Sequence, residues 1–271
     1  MRTLENTKLA ILIPSLQDYD FLKLTLKSIV ENTKTNIEIK IHLNAVTPEM
    51  EELAIQYDPE YTKSLSNLGI SPAINICFDR SDADFIFIAE SDLVFLPDWD
   101  TYLIEAMNKF GENNIFPVTK IHPYDDAQTV SLVKDYGKSP DTLDYKRLLS
   151  EVDSLRQPRY QIANCSPACF PRHLHVPFDE AYFPGWATDV EMHVNAWQLD
   201  KNVRYIKSEK SLIYHFRSLA SKKFYSDDER SMQCARSNDI FNKKWEAIHP
   251  GLNLNTYKDI IMKNYKGYIT E

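Results

Sequence analysis

The stretch FIFIAESDLVFLPDW, residues 85–99, decides the fold of this chain. Its first five residues form a continuous apolar run, which is typical of a strand buried on both faces of a parallel sheet. The acidic residues Glu90 and Asp92 follow at once, and after Pro97 the apolar residues recur at helical spacing. The stretch therefore predicts a buried strand, an acidic turn at its carboxyl end and an amphipathic helix.

The same alternation of strand and helix signals extends outward from this stretch. LAILI (9–13) is another apolar run, and apolar residues over 22–30 follow helical spacing. IEIKIHL (37–43) alternates like a half-buried strand, while Thr47-Pro48 and Ser71-Pro72 are typical helix starts. This β-α-β order predicts an α/β fold with a mostly parallel central sheet flanked by helices.

The second half of the chain is less regular. Residues 120–160 carry mixed charges and little periodicity, which indicates a long irregular insertion with one short helix over Tyr145–Leu155. The other predicted elements are strands over 114–119, 161–170, 203–206 and 211–216, a helix around 190–197, and a long polar helix over about 227–247. Because no repeat or linker divides the 271 residues, we expect a single domain.

The composition excludes several classes of function. The chain has only six glycines, well below the usual share of about 7%, and it contains neither of the glycine-rich phosphate-loop motifs. A formal net charge of −8 disfavours nucleic acid as a partner, although it leaves nucleic acid open as an acceptor. The four cysteines form no C-x-x-C pair, and no apolar run approaches the roughly 20 residues of a membrane span. We therefore expect a cytoplasmic protein without a membrane span.

Two acidic segments are candidates for chemistry. Ligands bind at the carboxyl ends of strands in open parallel sheets, so Glu90-Ser91-Asp92 could hold a hard cation there. An acid-x-acid triplet is nevertheless common in a chain with 39 acidic residues, and Asp82-Ala83-Asp84 is another. Thr188-Asp189-Val190-Glu191 begins a helix, where the helix dipole favours acids. Asp189 could also act there as a general base.

Taken in order, these segments resemble the family 2-like glycosyltransferases of the GT-A fold over roughly residues 8–247. The stretch at 85–99 is similar to the family's strand, D-x-D and x-x-L-P-x-W segment, with Glu90 in place of the first Asp. Five further segments match the family's motifs in order: residues 9–29, Asn67-Leu68-Gly69-Ile70, Phe178-Asp179-Glu180 with Thr188-Asp189-Val190-Glu191, Val203 to His215, and Phe241 with Lys243-Lys244-Trp245.

The resemblance implies an inverting glycosyltransferase that uses a nucleotide sugar, with a UDP-sugar favoured. It implies a nucleotide-sugar-binding half at about 1–119 and an acceptor-binding half at about 120–271. Asp92 and His215 would bind Mn²⁺ or Mg²⁺, with Glu90 facing the ribose or a metal-bound water, and Asp189 would deprotonate the acceptor hydroxyl. The remaining residues expected at the donor site are Pro14, Ser15, Asn44, Asn67, Ala73 and Ser91.

The acceptor is expected to be a glycan or another molecule that carries a hydroxyl group. Its expected contacts are Trp186, Thr188 and Tyr124, with Asp125, Asp126 and Tyr160 as further candidates. A basic strip could bind an anionic acceptor or the diphosphate; it consists of Lys207, Lys210, Arg217, Lys222 and Lys223.

Three alternatives stay open on the sequence. The first is a sugar-nucleotide pyrophosphorylase, although the glycine-rich signature that such enzymes carry after the first strand is missing. The second is a metal-dependent hydrolase built on Asp189, His193 and His215. The third is a degenerate, non-catalytic sugar-binding homologue, which Glu90 favours because it departs from the D-x-D motif.

Overall fold

The computed structural model describes residues 2–3, 5–124, 132–162, 167–216, 224–261 and 267–270. The strands are β1 (Lys8–Leu16), β2 (Asn36–Asn44), β3 (Thr62–Lys63), β4 (Phe85–Ile88), β5 (Leu93–Phe95), β6 (Phe116–His122), β7 (Leu132–Val133), β8 (Arg159–Ile162), β9 (Ala168–Pro171), β10 (Ile206–His215) and β11 (Gly267–Thr270). The α-helices are α1 (Tyr19–Asn32), α2 (Pro48–Ala54), α3 (Ile70–Asp79), α4 (Trp99–Phe110), α5 (Tyr145–Leu155), α6 (Thr188–Leu199), α7 (Asp227–Ile248) and α8 (Tyr257–Ile261). Five residues named above lie outside this description: Asp125, Asp126, Arg217, Lys222 and Lys223.

The described strands form one sheet in the order β11-β8-β10-β6-β9-β4-β1-β2-β3, with β5 paired to β10 and β7 paired to β6. The strands β5, β8 and β9 run in one direction, and the other eight run in the opposite direction. The predicted α/β fold with a mostly parallel sheet flanked by helices is therefore confirmed.

The direction of the strands decides where a site can form. β1, β2, β4, β6 and β10 are all parallel to one another, so their carboxyl ends meet at one edge of the sheet. This edge, called the carboxyl edge below, carries Ser15, Asn44, Glu90, His122 and His215. It is the position where open parallel sheets bind their ligands.

Helices cover both faces of the sheet. This coverage explains why the central part of β1 is apolar at every position. Leu9, Ile11 and Ile13 pack on one face with α1, α2 and α4, whereas Ala10 and Leu12 pack on the other face with α3 and α6. Successive side chains of a strand point to opposite faces, so a strand covered on both sides needs apolar residues at every position.

Two predicted strand boundaries were wrong. The strand expected over 161–170 is two strands, β8 and β9, which pair with different neighbours. The strand expected over 203–206 and the strand or extended segment expected over 211–216 are replaced by the single strand β10, which begins only at Ile206. Its pairing with β6 contains an irregularity between Ser208 and Leu212, next to the polar positions that suggested a break. The short helix predicted at Tyr145–Leu155 is confirmed as α5.

No helix in the described part of the chain is both long enough and apolar enough to cross a bilayer. The cytoplasmic location stays a prediction.

Candidate active site

Glu90, Asp92 and His215 meet at the carboxyl edge. The Nε2 atom of His215 lies 3.1 Å from a carboxylate oxygen of Glu90 and 3.3 Å from one of Asp92. One ligand atom from each residue lies within 4.8 Å of the others. Asp92 and His215 are buried, whereas 38% of the Glu90 side chain is exposed. The arrangement thus presents two carboxylates and an imidazole toward one point, with Glu90 on the open side.

Pairing of β10 with β5 brings residues about 120 positions apart into this cluster. In the antiparallel register His215 faces Leu93, and the backbone N–H of Phe216 donates to the carbonyl oxygen of Asp92 at 3.2 Å. From the side of α1, the hydroxyl of Thr25 lies 2.7 Å from the carbonyl oxygens of Ser91 and Leu93. The acidic turn is therefore held from both sides by main-chain contacts.

The charged groups of the cluster shift one another's pKa values. Burial lowers the pKa of the His215 imidazole, but the negative charges of Asp92 and Glu90 outweigh this effect and raise it to about 9. Burial alone would raise the pKa of Glu90, but the charge of His215 and its hydrogen bond keep it below its ordinary value. Without a metal, the cluster therefore holds a proton on His215 that a cation would have to displace.

The helix α6 begins directly after Ala187, whose φ is +68°, and Asp189 is its second residue. Its side chain is exposed. Surrounding protein nevertheless removes part of the hydration of its carboxylate, and this desolvation raises the pKa; a backbone hydrogen bond at Val190 opposes the shift and the negative charge of Glu90 adds to it. Asp189 is thus within electrostatic range of the acidic cluster, as a base acting at the same centre requires.

Two loops that border this region pack against each other. The backbone N–H of Ile70 donates to the carbonyl oxygen of Pro184 at 2.7 Å, and Ser71 and Thr188 share a hydrogen bond of 3.1 Å between their buried hydroxyls. Gly185 leaves no room for a side chain, because a Cβ atom there would lie 2.2 Å from Cγ2 of Ile70. The start of α3 therefore fixes the segment that leads into Asp189.

An ion network around the buried Glu191 fixes α6 from its other side. Lys244 on α7 donates to Asp179 at 2.7 Å and to Glu191 at 2.6 Å. Glu191 is fully buried and also accepts a hydrogen bond of 3.2 Å from the Tyr182 hydroxyl. Because Glu191 lies two residues after Asp189, the network anchors the helix that carries the candidate base.

The residues predicted at the donor site differ in what their side chains do. Ser15 is fully buried, and its hydroxyl has no hydrogen-bond partner among the described residues; Pro14 beside it is half-buried. Asn44 accepts from Leu68 N and donates to the Gly69 carbonyl oxygen, so it holds the loop after β3.

Three further donor-site predictions concern residues whose side chains already have other contacts. The side chain of Asn67 bonds to the Tyr225 hydroxyl and to the backbone N–H of Gly69. Ala73 is fully buried within α3. Ser91 is buried in the acidic turn. Of the predicted donor residues, Ser15 is the one that keeps a buried and unused polar group at the carboxyl edge.

The predicted acceptor residues differ in their burial and in their contacts. Trp186 is half-buried beside Asp189, and its buried Nε1 has no hydrogen-bond partner within the described residues. The buried Thr188 contacts Ser71, and the ring of Tyr124 lies under the ammonium group of Lys138. Tyr160 is buried against Phe110 and donates to Glu105, so it is not available to an acceptor and that expectation was wrong.

Two residues at the end of β6 were missed on the sequence. His122 is buried with its ring 5.1 Å from that of His215, and its Nδ1 lies 3.2 Å from the carbonyl oxygen of His215. The charge of Lys120 contributes to the pKa shifts of both Glu90 and Asp189. The alternation of Lys120 and His122 at the carboxyl end of a predicted strand is the signal that could have placed them here.

The trio of the hydrolase alternative is not assembled in the described part of the chain. His193 is buried on the core side of α6, where its ring packs against Tyr205. Burial lowers its pKa to about 3, and the charge of Lys258 adds to the effect, so the imidazole is neutral. The metal-type cluster found within the described residues contains His215 with Glu90 and Asp92, not with His193.

The mostly parallel sheet with helices on both faces, and the acidic cluster at its carboxyl edge, agree with the fold of GT-A glycosyltransferases. The chain matches the family model of glycosyl transferase family 2 over residues 10–173, which is more than half of its length. It belongs to that family. No match was found among curated proteins.

Solved structures with the same fold include two glycosyltransferases. The crystal structure of residues 1–349 of TarS from S. aureus superposes with a TM-score of 0.55 at 10% identity, covering 95% of this chain and 78% of that one. The TarS structure in complex with UDP gives a TM-score of 0.54. The mannosyltransferase PcManGT from Pyrobaculum calidifontis, in complex with GDP-Man and Mn²⁺, gives 0.54 at 14% identity, covering 95% of this chain and 68% of that one.

Proposed function

We propose that this glycosyltransferase is metal-dependent and inverting, and that it moves a sugar from a nucleoside-diphosphate sugar, favouring a UDP-sugar, to an acceptor hydroxyl. The observation that carries the proposal is the cluster of Glu90, Asp92 and His215 at the carboxyl edge, with Asp189 within electrostatic range. UDP in the TarS complex and GDP-Man with Mn²⁺ in the mannosyltransferase complex support the class of donor.

The donor set of the cluster fits Mn²⁺ better than Mg²⁺. Carboxylate oxygens suit both ions, whereas an imidazole nitrogen suits the softer transition metals. Asp92, His215 and Glu90 would hold the ion, which when bound supplies Lewis-acid stabilisation of a departing diphosphate. This use of a metal also explains how a chain with six glycines binds phosphate without a glycine-rich loop.

The residues of the chain have separate roles in the proposed transfer. Asp189 accepts the proton of the acceptor hydroxyl, whose oxygen attacks the anomeric carbon on the face opposite the departing diphosphate, and the configuration inverts. Ser15, Asn44 and the loop at Asn67 belong to the proposed nucleotide-binding half, at about 1–119. Trp186 and Thr188 lie beside Asp189 in the proposed acceptor-binding half, at about 120–271, and a glycan is the acceptor class we favour.

Calorimetry with UDP, GDP and dTDP, each with and without Mn²⁺, tests the proposal. We expect at least one nucleotide to bind more tightly with the metal, and we expect Asp92→Asn to abolish this difference. Asp82→Asn is the matched control, because Asp82 belongs to an acid-x-acid triplet at the opposite end of β4. Equal binding with and without Mn²⁺ for all three nucleotides would show that the proposed function is wrong.

A further inference from the structure

Lys120 is a half-buried cation near the carboxyl end of β6 that the proposed function has not used. Its neighbours in the strand, Thr119 and Ile121, are buried. In the part of the chain that the structure describes, its ammonium group forms neither a hydrogen bond nor an ion pair. Its three N–H donors therefore remain free to bind an anionic ligand.

The strand geometry decides on which face of the sheet Lys120 lies. Lys120 and His122 are two residues apart on β6, so their side chains leave the sheet on the same face. The ring of His122 lies 5.1 Å from the ring of His215. In the parallel register Lys120 faces Ile213, which is two residues before His215. Lys120 is therefore on the face of the sheet that carries His215.

The positive charge of Lys120 affects the pKa values of both Glu90 and Asp189. For Glu90, burial raises the pKa, and His215 and then Lys120 lower it. For Asp189, desolvation raises the pKa, and Lys120 is among the groups that lower it. The charge of Lys120 therefore acts on both the acidic cluster and the candidate base.

We propose that Lys120 binds the diphosphate of the donor and stabilises the negative charge of the leaving group. The inference rests on the proposed function. In the transfer, the bond between the anomeric carbon and the diphosphate oxygen breaks, and its electron pair stays on that oxygen. The acceptor oxygen forms the new bond, and its proton passes to Asp189. Lys120 keeps its protons throughout and hydrogen-bonds the oxygen on which charge develops.

The diphosphate suits this position better than an anionic acceptor does. A donor phosphate arrives in every turnover, whatever the acceptor is. The carboxylates of Glu90, Asp92 and Asp189 all repel the phosphates of a donor that approaches the cluster. An added cation therefore lowers the repulsion that the acidic cluster itself creates.

The test compares nucleotide and nucleoside binding by calorimetry, with Mn²⁺ and with EDTA. The probes are UDP and GDP, with uridine and guanosine as ligands that lack phosphate. We expect Lys120→Gln to weaken diphosphate binding about 10- to 100-fold, the usual range for a charge-assisted hydrogen bond, and to leave nucleoside binding unchanged. Lys120→Arg should keep most of the affinity. Lys40→Gln is the matched control, because Lys40 is a half-buried lysine on β2.

The outcomes separate the two proposals. If wild-type protein binds no nucleoside diphosphate with Mn²⁺, the proposed function fails and this inference fails with it. If wild-type protein binds UDP or GDP and Lys120→Gln binds it equally well, only the role of Lys120 is overturned. Equal losses for UDP and uridine would also overturn it, since they would indicate a structural role. Loss of transfer to anionic acceptors alone, with diphosphate binding intact, would assign Lys120 to the acceptor.

Discussion

Asp189 combines the two properties that a general base needs, access to a substrate and a raised proton affinity. Its side chain is exposed at the start of α6, while desolvation and the charge of Glu90 raise its pKa. The geometry of the loop explains the access. Ala187 turns the chain at a positive φ and Thr188 is buried against Ser71, so the next residue, Asp189, faces outward.

The change Asp189→Asn tests the assignment of the base. We expect the rate of sugar transfer to fall by about 10²- to 10⁴-fold, the usual contribution of a positioned base. Binding of the nucleotide with Mn²⁺ should stay within about twofold of wild type, because an amide preserves the shape of the side chain and the metal cluster is elsewhere. Transfer is measured by release of nucleoside diphosphate and binding by calorimetry. Transfer at the wild-type rate would remove Asp189 as the base.

The raised pKa of Asp189 also sets the direction of the pH dependence. A base acts only when it is deprotonated, so the rate falls as the pH drops through its pKa. We expect the acidic limb of kcat/KM to lie above the ordinary Asp value of 3.8. A profile of kcat/KM between pH 4 and 8 measures it, and Asp189→Glu is the control that retains a carboxylate. An acidic limb at or below 3.8 would contradict the prediction.

The site residues that lie in recognisable motifs could be predicted from the sequence, and those outside motifs could not. Asp92 and Asp189 were located because each lies in a segment that resembles a family motif. Lys120 and His122 occur in a stretch, VTKIH, that is ordinary for a strand. Their position near His215 comes from β10, which pairs with β6 from about 90 residues further along the chain. No local pattern carries that information.

At the scale of elements, the loop before α6 depends on Gly185. Its φ is +153°, a backbone conformation that side chains rarely allow, and an added Cβ would clash with Ile70. We expect Gly185→Ala to lower the free energy of unfolding by about 1 to 3 kcal/mol. Transfer should fall on the order of 100-fold, since the loop positions Asp189.

Gly111→Ala is the matched control for this loop. Gly111 also has a positive φ, +87°, but a Cβ there would meet nothing within 4 Å, and it ends α4 far from the candidate base. We expect it to cost about 1 kcal/mol and to leave transfer intact. Denaturant titrations and initial rates measure both variants. If Gly185→Ala lost stability without losing activity, the loop would not position the base.

The network around Lys244 joins α7 to α6, and its loss should lower the free energy of unfolding. Lys244→Met leaves the carboxylate of Glu191 buried without a cation, so we expect the free energy of unfolding to fall by about 2 to 3 kcal/mol. Lys243→Met is the matched control. The side chain of Lys243 is 76% exposed and pairs with Asp239 one turn away, so its loss should cost at most about 0.5 kcal/mol.

A second change separates the buried charge from general packing. Adding Glu191→Gln to Lys244→Met removes the uncompensated carboxylate, so the double variant should recover part of the lost stability, as measured in denaturant titrations. No recovery would mean that Lys244 acts through its packing with Tyr182 and Trp245.

The elements of the first half were the easier ones to predict. β1, α1, β2, α3, β4 and α4 follow one another along the chain, and each shows its burial in its own periodicity. β8 and β9 were harder to assign because β8 lies between β10 and β11, and β9 lies between β6 and β4. Such pairings depend on segments distant in sequence, and the local apolar pattern does not distinguish one long strand from two short ones.

At the scale of the whole molecule, three histidines are held in a neutral form: His42 and His193 are buried, and His175 is half-buried. Burial lowers the pKa of His42 to about 4, of His175 to about 4 and of His193 to about 3, and nearby positive charges add to each shift. His175 lies among the rings of Phe78, Phe170 and Phe178, and His193 lies against Tyr205. They belong to separate parts of the fold, so their effects on stability should add.

These histidines make the folded state sensitive to acid. An unfolded chain protonates them near pH 6.5, whereas the folded chain does so only at their lowered pKa values, so the unfolded state binds more protons between about pH 6.5 and 4. Stability must therefore fall as the pH falls through this window. We expect the free energy of unfolding to drop on the order of 3 kcal/mol between pH 6.5 and 5, measured by denaturant titration in EDTA.

His193→Phe tests the origin of this acid sensitivity. The phenyl ring can pack against Tyr205 but cannot take up a proton, so the variant should lose stability less steeply than wild type between pH 6.5 and 5. Between pH 7 and 8 the folded and unfolded states both hold His193 largely neutral, so there the two proteins should show the same slope. An unchanged slope in the acidic window would mean that His193 is not a source of the pH dependence. A lower stability at every pH with the shallower slope would still support it, because packing shifts the whole curve and protonation changes its slope.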